Sequence, residues 1–120
     1  MPRQQLNVTR VTPQGVAPAT HQTGHVDGTA FENSGRVWVE VTNGITAART
    51  VTFETPVTTG EFAVADLTVS IPISSTRRIG PFDPAIFNRG AEASVDPGKV
   101  WVNFNGGVNP ELMSIAAYTV

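Results

Sequence analysis

The chain has 120 residues, no cysteine and a formal net charge of −2, and only 15% of its residues are charged. This length suits one domain with its own core, and the missing cysteines exclude disulfide bonds and thiolate metal sites. Seven of the eight basic residues are arginine and Lys99 is the lysine. With so few basic residues, direct nucleic-acid binding through a basic footprint is not expected. No stretch has the roughly 20 consecutive apolar residues of a membrane-spanning helix.

The N-terminal part of the chain is predicted to be a strand followed by an arm. The strand covers residues 6–11, and residues 12–24 contain two prolines and two glycines, a density typical of an ordered arm or a long loop. The opening residues lack the apolar run of a signal peptide. We therefore expect synthesis in a cytoplasm. The pattern divides the chain into a strand and arm, residues 1–24, and a β-sandwich domain, residues 25–120.

Alternation of apolar and polar residues predicts the next strands. They cover residues 26–31, 37–41, 49–55 and 65–73, with the second and third joined as a hairpin. Pro72 cannot donate a ladder hydrogen bond, so the last of these strands is expected at a sheet edge or at its own end there.

A corner and one helical turn follow. Asp83 and Pro84 have the chemistry of an N-cap and a first helical residue. The preceding Gly80-Pro81-Phe82 corner is expected to orient the chain so that Phe82 and Phe87 plug one end of the fold.

Strands over residues 100–105 and 112–120 are predicted to complete the chain. Two sheets facing each other through their apolar positions make an all-β sandwich of seven or eight strands, with an N-terminal Gly/Pro-rich arm and one short helical turn. The expected core positions are Val37, Val39, Val41, Val51, Phe53, Leu67, Val69, Ile71, Ile73, Val100, Val102 and Phe104.

Candidate chemistry is sparse. His21, His25 and Asp27 could ligate zinc, but a loop fixes no geometry at this spacing, and two solvated histidines are expected instead. No Gly-x-Ser-x-Gly motif occurs, and Ser70 and Ser114 fall inside predicted strands. We therefore expect no enzymatic activity, no metal site and no cofactor.

Two tryptophans are the more informative candidates. Trp38 and Trp101 lie in phase with the polar face of their strands, where an indole can anchor a partner. The alternative, expected for at least one of them, is that the arm at residues 12–24 covers the rings or that the rings pack at the sandwich edge beside the core. Arg77 and Arg78 point to opposite sides of an extended segment, so one is expected to pair with a carboxylate such as Asp83 and the other to contact a partner.

Residues 69–84 suggest a family. An aliphatic strand leads through Ser74-Ser75-Thr76 to Ile79-Gly80-Pro81-Phe82-Asp83-Pro84 and a short helical turn around Phe87. With the Leu6-x-Val8 opening, the Gly/Pro-rich arm and a closing strand pair at 100–104 and 112–118, the chain resembles capsid decoration (cement) proteins of tailed bacteriophages, in particular those of actinobacterial phages.

This resemblance implies a β-sandwich that binds the outside of a phage head, contacts the major capsid protein, forms a homotrimer and braces the shell. Neither nucleic acid nor membrane is an expected partner. The residues expected to bind partners are Leu6, Val8, Arg10, Val16, His21, His25, Trp38, Arg77, Arg78 and Trp101. The alternatives are another virion part, such as a tail-tube, head–tail joining or fibre-associated protein, and a carbohydrate-binding module whose platform would use Trp38, Trp101 and Tyr118.

Overall fold

The computed structural model describes residues 3–18, 21–44, 46–56, 58–59, 62–63, 65–90 and 95–120. It is mostly β, with 45% of residues in strands and 10% in helices, and two sheets of five strands pack together. The predicted all-β sandwich is therefore confirmed. Within the described residues, no helix is long and apolar enough to cross a membrane.

The strands follow one another closely along the chain. They are β1 Gln4–Leu6, β2 Val8–Arg10, β3 Gln22–Thr23, β4 Thr29–Glu32, β5 Val37–Asn43, β6 Arg49–Phe53, β7 Thr58–Thr59, β8 Phe62–Ala63, β9 Leu67–Ile71, β10 Thr76–Ile79, β11 Lys99–Phe104 and β12 Met113–Thr119, with helix α1 at Pro84–Phe87 between β10 and β11. Two 3-10 turns, Asn105–Gly107 and Pro110–Leu112, connect β11 to β12.

The two sheets interleave along the sequence. The first sheet has the order β1-β4-β11-β6-β9, and the second has the order β10-β5-β12-β2, with β3 also paired to β12. Strands β7 and β8 form a separate two-stranded hairpin. Successive strands therefore often lie in different sheets, and the core is closed by connections that cross between them.

The core lies between the sheets, as the alternation predicted. Strand β5 alternates buried and half-buried residues along its whole length, and β11 does the same. Phe82 is fully buried and contacts the rings of Phe31, Phe53 and Phe87, with centroids 4.8 to 5.6 Å apart. The predicted aromatic plug is confirmed. The helical turn begins as predicted, because the Asp83 side chain accepts a hydrogen bond from the Ala85 amide at 2.9 Å.

The first predicted strand is two strands in different sheets. Strand β1 pairs parallel to β4 in the first sheet, whereas β2 pairs parallel to β12 in the second. The chain crosses between the sheets at Asn7, so a period that looks continuous in sequence is split in space. The arm also contains a strand, since Gln22–Thr23 pairs with β12.

The predicted hairpin of residues 37–41 and 49–55 is wrong. Strand β5 pairs with β10 and β12, while β6 pairs with β9 and β11 in the other sheet. A tight two-residue turn would favour a hairpin, but the connection here is longer and crosses the sandwich. The predicted closing pair is corrected in the same way, because β11 and β12 also belong to different sheets.

The asparagine at the end of β5 holds this crossing in place. The buried Asn43 side chain donates to the carbonyls of Ala47 and Ile71 at 2.7 and 3.0 Å. Its oxygen accepts from the Gly44 amide at 2.8 Å and from Arg49 Nη1 at 2.9 Å. One side chain thus links the ends of strands in both sheets.

Three predicted core residues are less buried than expected: Leu67 and Val69 lie on the edge strand β9, and Ile73 lies in the turn after it. Leu67 is 38% exposed and Ile73 is 51% exposed, while Val69 is half-buried against the core. An edge strand has a neighbour on one side only, so its inward residues are covered incompletely. Strand β9 ends at Ile71, directly before Pro72, as predicted.

Candidate functional site

The outer face of the second sheet carries one of the two tryptophans. Trp38 on β5 stacks on Tyr118 of β12, with ring centroids 4.6 Å apart and planes 20° apart, because the two residues are paired across the strands. A shallow groove of about 270 Å³ lies beside Trp38 and is lined by Arg78, Ile79, Gly80 and Pro81. Trp38 is half-buried in this arrangement.

His21 is part of a network on the same face. Its Nδ1 lies 3.1 Å from Ser114 Oγ and its Nε2 lies 3.0 Å from Glu40 Oε1. Arg78 Nε donates to the other carboxylate oxygen of Glu40 at 2.9 Å. The expectation of a solvated loop histidine is therefore wrong for His21, because the segment before β4 folds back over β12.

Serine, histidine and glutamate in a row have the composition of a hydrolase triad, but the surroundings are unsuited to that chemistry. Acyl transfer needs N–H donors aimed at the developing oxyanion. Ser114 lies within β12, which pairs with β3 on one side and β5 on the other. Glu40 is shared between His21 and Arg78. The arrangement fixes residues 21–24 on the sheet, and the short strand β3 continues the same attachment.

Glu40 is the titratable group that this network perturbs. The hydrogen bond from His21 lowers the pKa of the Glu40 carboxyl, and Arg78 lowers it further, while partial desolvation acts in the opposite direction. The carboxylate is therefore stabilised as an anion. Its two partners, His21 and Arg78, lie on different segments, and Glu40 on β5 links them.

His25 has different partners. Its Nδ1 accepts a hydrogen bond from the Asp27 amide at 3.1 Å and lies 3.7 Å from the Asp27 carboxylate. His21 faces Glu40 and Ser114 instead, so the two histidines do not converge. Across the part of the chain that the structure describes, no three His, Asp or Glu side chains are grouped so as to hold a metal ion.

The second tryptophan lies on the outer face of the other sheet. The guanidinium carbons of Arg3 and Arg89 lie 4.2 and 3.7 Å from the Trp101 ring centroid. The indole nitrogen donates to Asp96 at 2.9 Å. Side chains of Arg3, Arg89 and Asp96 therefore cover Trp101, whereas the predicted cover was the arm at residues 12–24.

Arg3 connects this cluster to the rest of the first sheet. It donates to Glu54 at 2.6 Å, to the Asn103 side chain at 2.7 Å and to the Val102 carbonyl at 3.1 Å. Burial lowers the pKa of Arg3, and the attraction of Glu54 partly offsets that effect. These contacts anchor the start of the chain on β11.

The other predicted partner-binding residues divide by exposure. Leu6 is buried in the core and Val8 packs against it, so neither is free for a partner, whereas Arg10 and Val16 are exposed. Arg77 is exposed and donates to the Thr76 carbonyl. The expected pairing of one arginine with a carboxylate is confirmed for Arg78, but its partner is Glu40, because Asp83 caps α1.

An apolar surface that sequence reasoning missed lies at one end of the sandwich. Four aliphatic side chains are exposed in its loops: Val26, Ile73, Val108 and Leu112, at 64%, 51%, 60% and 41%. We call this surface the apolar end. An apolar residue within a segment rich in Gly, Pro and Asn is the sequence signal that would have indicated it.

These loops lie close together because the strands that they connect end at the same end of the sandwich. Strand β5 ends at Asn43, opposite Met113 where β12 begins, and β11 ends at Phe104 beside the start of β6. The Gly44 carbonyl accepts from the Ser74 amide at 2.9 Å. Scattered exposed aliphatic residues are normal, and Val95 and Val120 are exposed at the other end, but four in the loops of one end make it a candidate contact surface.

Comparison with protein-family models, with curated proteins and with solved structures found no match. The resemblance to phage decoration proteins thus depends on the residues that suggested it.

Proposed function

We propose that the chain is a non-enzymatic structural protein of a tailed-phage virion that binds the outer surface of the head shell and stabilises it. The apolar end is the observation that supports the proposed contact surface. Its loops present Val26, Val108 and Leu112 to solvent, while each outer face has a network of polar side chains bonded to one another, around Glu40 and around Glu54. The major capsid protein is the proposed partner.

Most of the described N-terminal segment is held on the sheets and does not belong to the apolar end. Residues 4–6 and 8–10 are strands of the sheets, and His21 is bonded to Glu40 and Ser114. Exposed Val16 is also available for contact, but residues 12–18 follow Val11 beside Thr119, away from the apolar end, and are a separate candidate contact. Many equivalent sites on a shell supply avidity, so each contact can be weak.

The carbohydrate-binding alternative has less support. Its platform requires aromatic rings on one exposed face, but Trp38 and Trp101 lie on opposite outer faces of the sandwich. Tyr118 is only 7% exposed beneath Trp38. Another position in the virion, at the tail or the head–tail joint, is compatible with the same contact surface.

Matched valine variants test the proposed surface. Val26→Ser combined with Val108→Ser changes the apolar end, and Val95→Ser combined with Val120→Ser makes the same chemical change at the opposite end, where exposures of 50% and 63% are similar. We expect the first pair to lower co-sedimentation with purified expanded heads by about tenfold or more, since each buried valine contributes about 1.5 kcal/mol or more. Equal binding by both pairs would refute this placement of the surface.

A further inference from the structure

Strand β9 has an open edge of unusual composition. It is the last strand of its sheet, and within the described residues its outer edge pairs with no other strand. Its sequence, Leu67 to Ile71, contains no charged residue and no proline, and its register with β6 is free of bulges. Edge strands usually contain a charged residue, a proline or a bulge, because an unprotected edge pairs with other strands.

The remaining edges of the two sheets are protected. Strand β10 carries adjacent Arg77 and Arg78, and both side chains are exposed. Strands β1 and β2 are only three residues long. The open edge of β9 is therefore distinguished by both length and neutrality.

Side chains on β9 have surface left to bury. Leu67 is 38% exposed although it points toward the core side of the sheet, and Val69 is covered only in part. A strand added alongside would cover both residues and would satisfy the open backbone groups. The outward residues Thr68 and Ser70 would line the solvent face of the new pair.

We infer that β9 is a self-association edge at which two copies of this chain pair antiparallel about Val69. The strand is apolar-polar-apolar-polar-apolar, so it reads the same from both ends. Leu67 of one copy faces Ile71 of the other, and Thr68 faces Ser70. The first sheets of two copies thereby become one continuous sheet across a two-fold axis.

Charge favours a second copy as the occupant. Self-pairing brings equivalent residues close to one another, and like charges facing each other across strands are destabilising. Strand β9 avoids this repulsion because it is neutral, whereas the same pairing through β10 would bring arginines together. The proposed two-fold pair goes beyond shell binding and departs from the homotrimer that the family resemblance implies.

A contact of five residues on each side is smaller than a standard interface, so association in solution is expected to be weak and concentration-dependent. On a shell, neighbouring copies are held close together, and the same contact can link them.

Charge pairs at positions 68 and 70 test both the surface and the register. Thr68→Lys with Ser70→Lys places lysine opposite lysine twice, whereas Thr68→Glu with Ser70→Lys places glutamate opposite lysine twice. Sedimentation equilibrium without shells, up to about 1 mM protein, should give a dimer for the wild type. We expect self-association to weaken about tenfold or more in the Lys/Lys variant and to equal or exceed the wild type in the Glu/Lys variant.

A cysteine cross-link gives an independent measurement, because the chain has no native cysteine. Val69→Cys should form a covalent dimer under air oxidation, since opposed strand residues lie within disulfide range. Val95→Cys is the control that should stay monomeric. A wild-type monomer at all concentrations, a trimer, equal association of the two charge variants or absence of the position 69 cross-link would each overturn the inference, whatever the outcome of shell binding.

Discussion

At the scale of single residues, Asn43 makes more contacts that stabilise the fold than its position in a predicted turn suggested. Its side chain joins the end of β5 to the end of β9 and to buried Arg49, which is 6% exposed. We expect Asn43→Ala to lower the free energy of unfolding by about 2–4 kcal/mol, since it leaves buried polar groups without partners.

Urea denaturation measures this effect, and Asn7→Ala is the matched control. Asn7 is exposed, and its substitution should change stability by no more than about 0.5 kcal/mol. Equal midpoints for the two variants would show that the Asn43 contacts do not stabilise the crossing.

Glu40 should make stability depend on acid pH. Its folded-state pKa lies below the ordinary value of 4.5 because of His21 and Arg78. A depressed pKa contributes stability that is present above the unfolded-state value and is lost as pH falls through the folded-state value. Urea midpoints measured from neutral pH down to about pH 3 should therefore fall less steeply for Glu40→Gln than for the wild type. Parallel pH profiles would contradict the stabilising role of this carboxylate.

At the scale of elements, alternation located strands better than it located their partners. The pattern at β5 and β11 predicted both the buried and the outward residues, because an apolar period of two is a property of each strand alone. It could not show that Asn7 is a crossing point or that β5 and β6 lie in different sheets, because those features depend on partners distant in sequence.

The same limit applied to the candidate site. The outward positions of Trp38 and Trp101 followed from strand phase, but the contacts of Trp101 with Arg3 and Arg89 were not predicted. The bond from His21 to Ser114 spans 93 residues, and no local pattern indicates it. The apolar end was missed because its residues come from three connections that are distant in sequence.

The N-terminal residues are expected to be required for folding. Deleting residues 1–24 removes β1, β2 and β3, exposes the edge of β12 and removes Arg3 from Glu54 and Trp101. We expect the truncated chain to lose several kcal/mol of stability, a large part of what a domain of this size has. Circular dichroism and urea denaturation test this expectation.

A soluble truncated domain with an unchanged urea midpoint would contradict the role of these strands. Replacing residues 12–18 with a Gly/Ser loop is the better test of a contact by the arm, because it preserves the strands on both sides.

At the scale of the whole molecule, the groups that stabilise the fold differ from the surfaces proposed for contact. The core between the sheets and the polar networks on both outer faces hold the sandwich together. The apolar end and the β9 edge are the surfaces that we propose for contacts with other molecules. The proposed role, with many copies held by repeated weak contacts, would use both.

The copy number in purified virions, determined by quantitative mass spectrometry against the major capsid protein, tests the proposed role most directly. Shell decoration predicts on the order of hundreds of copies, comparable to the number of capsid subunits, whereas a joint or tail ring would contain about six or twelve. A ring-like number, or the absence of the chain from virions, would contradict the account.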